Sequence, residues 1–157
     1  LYLNRKILDL EEKLKLLEKN IESLIPHRKP FLFVDEIISA DENGSVSEHV
    51  FTQDEFFFKG HFPEYPVVPG VILVETMAQA GGAALSFQKI FEEGSLFFLA
   101  TVDKVKFRSQ VKPGDKVRME VTNLRVSPRM IKQAGKAYVG ETLAAEAEWM
   151  CLVGKEA

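Results

Sequence analysis

The sequence of 157 residues has a single cysteine, a formal net charge of only −3, and no apolar run of the ~20 residues that a membrane-spanning helix needs. One cysteine excludes an internal disulfide framework and is typical of a reducing compartment. The small negative charge provides no basic field that would attract nucleic acid. The first residues alternate leucines with charges, unlike the solid apolar block of a signal peptide. These absences predict a soluble, cytoplasmic protein without a membrane span and without a nucleic-acid partner.

Residues 3–25 have the pattern of an amphipathic helix, interrupted by Pro26. Its apolar positions are spaced alternately four and three residues apart, as in a heptad seam: Leu3, Ile7, Leu10, Leu14, Leu17, Ile21 and Leu24. We therefore expect residues 1–20 to be a helical extension and residues 21–157 to be the main domain. The narrow period favours pairing with the same helix of a neighbouring subunit. The alternative is that the helix folds back onto its own subunit, because three heptads are marginal for an independent coiled coil.

The remaining pattern predicts an α+β domain. Strands are expected over 31–40 and 45–51, a helix over 71–91, and four further strands over 96–107, around 117–121, over 130–139 and over 145–153. The helix is apolar on nearly every face, which is typical of a buried helix. This order of elements predicts a curved antiparallel sheet wrapped around one long central helix.

A stiff loop precedes the helix. Pro63, Pro66 and Pro69 recur every third residue, and each proline fixes its own φ and restricts the residue before it. His61 lies at the start of this loop, next to Gly60, where a second group could approach closely. A rigid loop that presents a histidine is a common catalytic device, so we interpret His61 as a catalytic residue rather than a packing one.

Glu75 is a carboxylate one turn into the apolar helix. Burial of a carboxylate costs several kcal/mol unless it is paired or takes up a proton, and a protonated acid is suited to general acid catalysis. Gln79 lies four residues later on the same face, where it could bond and orient Glu75. A purely structural Glu75–Gln79 pair is the alternative.

Three glycines belong to the helix, one at its start and two adjacent ones within it. Gly70 opens it, so its N–H is unpaired within the helix and could polarise a carbonyl or stabilise an oxyanion. Gly81 and Gly82 lower helix stability, and close packing against the sheet or against a bound acyl chain would explain them.

Several long motifs occur in a recognisable order: Leu24–Asp35 (LIPHRKPFLFVD), Phe57–Pro63 (FFKGHFP), Pro66–Val71 (PVVPGV), Glu75–Gly82 (ETMAQAGG), Val102–Arg108 (VDKVKFR), Val111–Asp115 (VKPGD) and Ala145–Cys151 (AEAEWMC). With them, the chain resembles the β-hydroxyacyl-acyl-carrier-protein dehydratases of type II fatty-acid synthesis from about residue 21 to its end.

The resemblance implies a hot-dog fold and a homodimer with shared sites, commonly assembled as three dimers in a hexamer. It implies that His61 removes the C2 proton of an (R)-3-hydroxyacyl thioester, while Glu75 of the other subunit protonates the leaving hydroxyl. Gly70 would provide the backbone donor to the thioester oxygen, and the peptide bond after His61 would be cis. No metal and no cofactor is implied. A related branch that also isomerises its product carries Asp at the acid position, so Glu75 favours the dehydratase-only branch.

Acyl carrier protein, which is acidic, is the implied partner. Lys104, Lys106 and Arg108 lie on a predicted strand, where alternation would place all three on one face as a docking surface. The alternative is a strand edge that lysines protect from aggregation. His27 and His49 are interpreted as structural or exposed, and Cys151 as a packing residue.

Two other functions compete with dehydration. An acyl-CoA thioesterase or hydratase of the same fold would need a catalytic carboxylate without the Gly60–His61–Phe62–Pro63 loop, or a different acid–base pair. A non-enzymatic acyl-binding module would need neither His61 nor Glu75. Hydration of a crotonyl thioester measured beside thioester hydrolysis separates these possibilities.

The heptad pattern gives a first prediction. If residues 3–17 pair between subunits, removal of residues 1–18 should make the oligomer dissociate at higher protein concentration, because part of the intersubunit contact is lost. Light scattering over a dilution series measures this. An unchanged dissociation midpoint would rule out the coiled-coil role.

Overall fold

The computed structural model describes residues 20–154. Its elements are a short helix α1 (Ile21–Leu24), strands β1 (Glu36–Ala40) and β2 (Gly44–Val50), a 3₁₀ helix (Phe56–Lys59), the long helix α2 (Gly70–Phe87), and strands β3 (Leu96–Phe107), β4 (Lys116–Ser127), β5 (Met130–Val139) and β6 (Thr142–Gly154).

All six strands form one antiparallel sheet in the order β1-β2-β4-β5-β6-β3, so β1 and β3 are its edges. The sheet encloses α2, which packs against all six strands. The predicted α+β architecture, a sheet wrapped around a central helix, is therefore confirmed.

Alternation along the strands decides which side chains face α2. On β4, Val117 and Met119 have no exposed surface, and on β6, Trp149 and Cys151 are 1% and 2% exposed. Their chain neighbours point to the other face of the sheet, as the period of two requires. The alternation predicted for these two strands is confirmed.

Helix α2 is buried over 14 of its 18 residues. By length and composition alone it could span a membrane, but its enclosure by the sheet identifies it as the core helix. A Cβ on Gly81 would overlap the Gln133 side chain, and one on Gly82 would lie 3.0 Å from the Phe97 ring. The glycine pair therefore allows close packing between the helix and the sheet.

The first strand begins five residues later than predicted. At Phe31 and Phe33 the backbone bonds the helix instead of a strand: Phe33 N–H donates to Gln79 Oε1 at 2.8 Å, and Gln79 Nε2 donates to Phe31 O at 3.0 Å. Regular pairing with β2 begins only at Glu36.

Helix α2 also ends four residues before the predicted boundary. Lys89 takes a left-handed conformation with φ 61°, its N–H donates to Ser86 O at 3.0 Å, and Ile90 N–H donates to Leu85 O at 3.1 Å. This is the Schellman arrangement, in which glycine is the usual residue at the left-handed position.

The predicted helix over 3–25 is not continuous. Asn20 is extended (φ −71°, ψ 132°), and its side chain caps α1 by accepting from Glu22 N–H. Ile21 and Leu24, the last two positions of the heptad seam, are 7% and 0% exposed within this chain's own core. Their assignment to an intersubunit seam is therefore wrong. The earlier seam positions, Leu3 to Leu17, lie outside the described residues, and their pairing stays a prediction.

Candidate active site

His61 lies in a loop that its own backbone hydrogen bonds hold in shape. Phe62 and Tyr65 exchange two N–H···O bonds of 3.2 and 3.0 Å, and Val67 N–H donates to His61 O at 2.9 Å. Val68 N–H then joins the loop to Val111 O at 2.8 Å. The His61–Phe62 peptide bond is cis, as predicted. The loop is therefore ordered by local contacts without belonging to a helix or the sheet.

The His61 ring has a defined tautomer. Its Nδ1 lies 3.0 Å from Val67 O, and because a carbonyl oxygen only accepts hydrogen bonds, Nδ1 carries the hydrogen. In the neutral ring Nε2 then has the free lone pair. The ring also stacks on Phe62, with 4.3 Å between centroids and 24° between the ring planes. This arrangement is suited to a general base that acts through Nε2.

Glu75 lies on the face of α2 that borders a small cleft. Its side chain is 21% exposed, so the full burial expected from the sequence is not reached in the single chain. Gln79 Nε2 donates to Glu75 Oε1 at 3.1 Å, which is the hydrogen bond that the i, i+4 spacing predicted. Gln79 is itself fixed by its bonds to Phe31 and Phe33, so the orientation of Glu75 is coupled to the segment before β1.

His27 is a neighbour of Glu75 that the sequence did not reveal. Its Nε2 lies 3.6 Å from Glu75 Oε1, and its Nδ1 is buried without a hydrogen-bond partner among the described residues. Arg28 fixes this turn by donating to Glu22 O, Ile25 O and His27 O at 2.9, 3.0 and 2.7 Å. The Pro26-His27-Arg28 sequence directly after the predicted helix could have indicated this turn, because an arginine there can donate to the unpaired carbonyls at the end of a helix.

The cleft around Glu75 is mostly apolar. Beside Glu75, His27 and Gln79 it is lined by Ile25, Ala78, Gly82, Phe97, Leu99 and Cys151. Burial raises the pKa of the Cys151 thiol to about 12, and the nearby Glu75 charge adds to this shift. Cys151 is therefore a neutral thiol near pH 7, in keeping with its interpretation as a packing residue.

Gly70 is the first residue of α2. Its N–H has no acceptor within the part of the chain that the structure describes, as expected for a first-turn donor. A Cβ at this position would lie 2.7 Å from the Phe107 ring. Glycine thus allows the start of the helix to pack directly against the end of β3.

The structure does not bring His61 and Glu75 together within one chain. No hydrogen bond or ion pair between residues 20–154 joins them, and His61 does not line the cleft that contains Glu75. Gln79 and Glu75 form one group, whereas His61 contacts its own loop.

The three basic residues expected to share a face do not follow simple alternation. Lys104 has φ 51° within a bulge between Asp103 and Lys106, because one extra residue on β3 faces β6 there. Lys104 Nζ lies 3.5 Å from Glu148 Oε1, and Arg108, just beyond the strand, contacts Glu146 at 3.3 Å. Simple alternation therefore does not assign these residues to one face, and their shared face stays a prediction; all three side chains are exposed.

The geometry defines a sheet that encloses a helix carrying Glu75, with His61 on the preceding loop. The chain matches the FabA-like domain family over residues 25–148 and belongs to that family. It is 45% identical over 138 residues to the "3-hydroxyacyl-[acyl-carrier-protein] dehydratase FabZ" of Desulforamulus reducens, covering 87% of this chain and 96% of the relative. It is also 45% identical over 134 residues to the enzyme of the same name from Pelotomaculum thermopropionicum, covering 85% and 95%.

Solved structures share the fold. The dehydratase heterocomplex ApeI:P from Xenorhabdus doucetiae aligns with a TM-score of 0.75 at 16% identity, covering 88% of this chain and 93% of that one. A mutant of the phenylacetic acid degradation protein PaaI from Thermus thermophilus aligns with a TM-score of 0.54 at 11% identity, covering 74% and 90%. The expected hot-dog fold is confirmed.

The contacts of Gln79 predict a stability effect. Gln79→Leu would leave the buried Phe33 N–H and the Phe31 carbonyl without their partner, which should lower the free energy of unfolding by about 1–3 kcal/mol. Thr76→Val is the matched control on α2, because Thr76 donates only to the Ile72 carbonyl of its own helix and should cost less. Urea unfolding compares the variants. Equal losses would contradict the anchoring role of Gln79.

Proposed function

We propose that this protein dehydrates (R)-3-hydroxyacyl thioesters on acyl carrier protein to trans-2-enoyl thioesters during fatty-acid elongation. The observation that carries the proposal is the tautomer of His61, whose bonded Nδ1 leaves Nε2 free to accept a proton. The family and the names of the relatives support the substrate class. This reaction takes place in the cytoplasm.

The proposed reaction is a syn-type elimination. His61 Nε2 takes the proton from C2, and the electron pair moves towards the thioester carbonyl, where the Gly70 N–H stabilises the oxygen. The bond between C3 and oxygen breaks as Glu75, which must begin protonated, gives its proton to the departing hydroxyl. Water and the enoyl thioester leave. Loss of a proton from His61 and uptake of one by Glu75 restore the site.

The proposed site is shared between two subunits, with His61 from one and Glu75 from the other. This would explain why a single chain keeps the two residues apart. Strand β3 supports a second copy as partner, because it is an edge of 12 residues with exposed Phe98 (56%), Leu99 (41%) and Val102 (39%). A hexamer of three such dimers is the assembly proposed from the family resemblance. Residues 1–20 are proposed to be an extension outside the catalytic domain, residues 21–157.

The carrier is proposed to dock near Lys104, Lys106 and Arg108. The Arg108 hydrogen bond, with further attraction from Lys106 and Lys136, lowers the pKa of Glu146, which indicates that cations surround this carboxylate. An acidic partner would meet a locally positive surface here despite the negative total charge.

The shared site gives a prediction with two stages. His61→Ala and Glu75→Gln should each lower turnover of a 3-hydroxyacyl thioester by about 10²–10⁴-fold, because each removes one proton-transfer group. Glu75→Gln retains an oxygen to accept from Gln79, so the fold should remain intact.

Co-expression of the two variants with different affinity tags should then restore activity. In a mixed dimer both substitutions fall in one site and the other site is unchanged, so about half the wild-type turnover per dimer is expected. Dimers of either single variant are the controls. Absence of rescue in purified mixed dimers would argue against a shared site, and thioester hydrolysis in place of dehydration would favour a thioesterase.

Reversal of the charge of the three basic residues tests carrier docking. The triple change of Lys104, Lys106 and Arg108 to Glu should raise the KM for carrier-bound substrate and spare a small thioester analogue, because the analogue has no carrier protein to contact these side chains. Reversal of the exposed Arg125, Arg129 and Lys132 gives the same change in net charge and serves as the control. An equal loss on both substrates would exclude specific docking here.

A further inference from the structure

A buried histidine lies between two carboxylates away from the proposed reacting groups. His49, on β2, is 4% exposed, and its Nδ1 lies 2.8 Å from Asp35 Oδ1 and its Nε2 2.8 Å from Glu55 Oε1. Asp35 precedes β1, and Glu55 precedes the 3₁₀ helix. One imidazole ring thus joins three segments of the chain.

The hydrogen bonds define the charge of this ring. An ionised carboxylate only accepts, so a ring that bonds two of them must donate from both nitrogens and is an imidazolium. Burial alone would lower the pKa of His49, but the hydrogen bonds and the charges of Asp35 and Glu55 outweigh it and raise the pKa from 6.5 to about 8. Burial would likewise raise the pKa of Asp35, yet His49 and the Val50 N–H hold it below 3.8.

The other surroundings contribute less directly. Lys29 also helps to lower the pKa of Asp35, but among residues 20–154 it forms no hydrogen bond or ion pair with Asp35 or Glu55. Phe33 and Phe51 pack edge-on against the ring, at 5.9 and 4.6 Å between centroids. The adjoining cavity is lined by the charged side chains of Lys29, Glu22 and Asp54. On the neighbouring strand β4, Val117 is opposite His49, and Lys116 pairs with Glu48. His49 is therefore the cation that directly bridges Asp35 and Glu55.

Glu55 connects this cluster to the catalytic loop. Its carbonyl accepts from Phe58 N–H at 3.2 Å at the start of the 3₁₀ helix, and Phe57 O accepts from the N–H groups of Gly60 and His61 at 3.2 and 2.9 Å. The Phe57 ring packs 6.1 Å from Phe51, which also contacts His49. Anchoring of the Glu55 side chain thus fixes the helix on which the backbone of His61 depends.

We propose that His49 is a positioning residue: as an imidazolium it clamps Asp35 to Glu55 and so holds the 3₁₀ helix and His61 in place. The inference rests on the proposed function, in which His61 is the base. Loss of the proton leaves one carboxylate without a donor and releases this anchor.

The pH dependence follows from the sign of the shift. The pKa of His49 is raised on folding, so its stabilising contribution is complete below pH 6.5 and is lost as the pH rises through about 8. Turnover should therefore decline with a midpoint near pH 8. Displacement of a catalytic group can lower turnover by as much as about 10²-fold. An alkaline decline alone does not identify the group that titrates, so the test must assign it to His49.

His49→Lys makes that assignment. Lysine can donate to both carboxylates and stays charged to a pKa of about 10.4, so the alkaline midpoint should move up by roughly two pH units. His49→Gln removes the charge and should lower turnover already at pH 7. Glu55→Gln keeps His49 but removes one carboxylate, and its alkaline midpoint should fall below that of the wild type, which provides the test if His49→Lys does not fold.

The measurements are kcat against pH from 6 to 10 with a crotonyl thioester, and amide hydrogen exchange of residues 55–62 corrected for the intrinsic rate. Exchange should accelerate above pH 8 in the wild type and not in His49→Lys. An unchanged alkaline midpoint in both His49→Lys and Glu55→Gln, or exchange protection that does not vary with pH, would overturn the proposal. Amide exchange is measured without substrate, so it tests the role of His49 separately from the proposed function. If exchange of residues 55–62 accelerates above pH 8 only in the wild type but the protein fails to dehydrate the thioester, only the proposed function is refuted.

Discussion

The enclosure of α2 by a single curved sheet is the constraint on which the rest of the structure depends. In a helix buried on nearly every side, each polar side chain that lacks a partner costs about 1–3 kcal/mol. Gln79 is 3% exposed and avoids this cost by bonding the backbone at Phe31 and Phe33. The helix thereby orders the segment before β1, and the same segment brings His27 beside Glu75.

The parts of the fold that the sequence predicted well are those whose burial alternates with a fixed period. The bounds of β3 and β5 agree with the structure, and the inward residues of β4 and β6 are buried as expected. The errors have separate causes. The end of α2 was misplaced because the left-handed residue there is Lys89, not the glycine that usually marks such a turn. The start of β1 was misplaced because the backbone at Phe31 bonds a side chain distant in sequence. The N-terminal helix was drawn through Asn20 because the heptad pattern of the sequence continues past this extended residue.

The candidate site was predictable where a residue contradicts its local pattern. His61 stands in a proline-stiffened loop, and Glu75 stands in an apolar helix. His27 does not contradict its local pattern, and its contact with Glu75 depends on the position of a turn relative to α2. His49 is structural, one of the two readings that the sequence left open, but its buried position was not predicted, because β2 reverses the usual polarity. Ser45, Ser47 and His49 face inward at 8%, 0% and 4% exposure, while Val46 and Val50 are only half-buried. A pattern that sorts residues by hydrophobicity cannot find a strand whose buried face is polar.

His61 and Glu75, which are proposed to exchange protons with the substrate, are held by different kinds of structure. Glu75 belongs to the core helix, so its backbone can move only if the helix and the surrounding sheet move with it. His61 depends on the backbone bond from its N–H to Phe57 O and on the bond of its ring to Val67 O. The short segments that provide these bonds can open locally at a lower free-energy cost than the core. Since proton transfer requires both groups at a fixed separation, the weaker restraint controls the geometry. Polar contacts beneath the loop therefore affect the proposed chemistry more directly than further packing around α2 would.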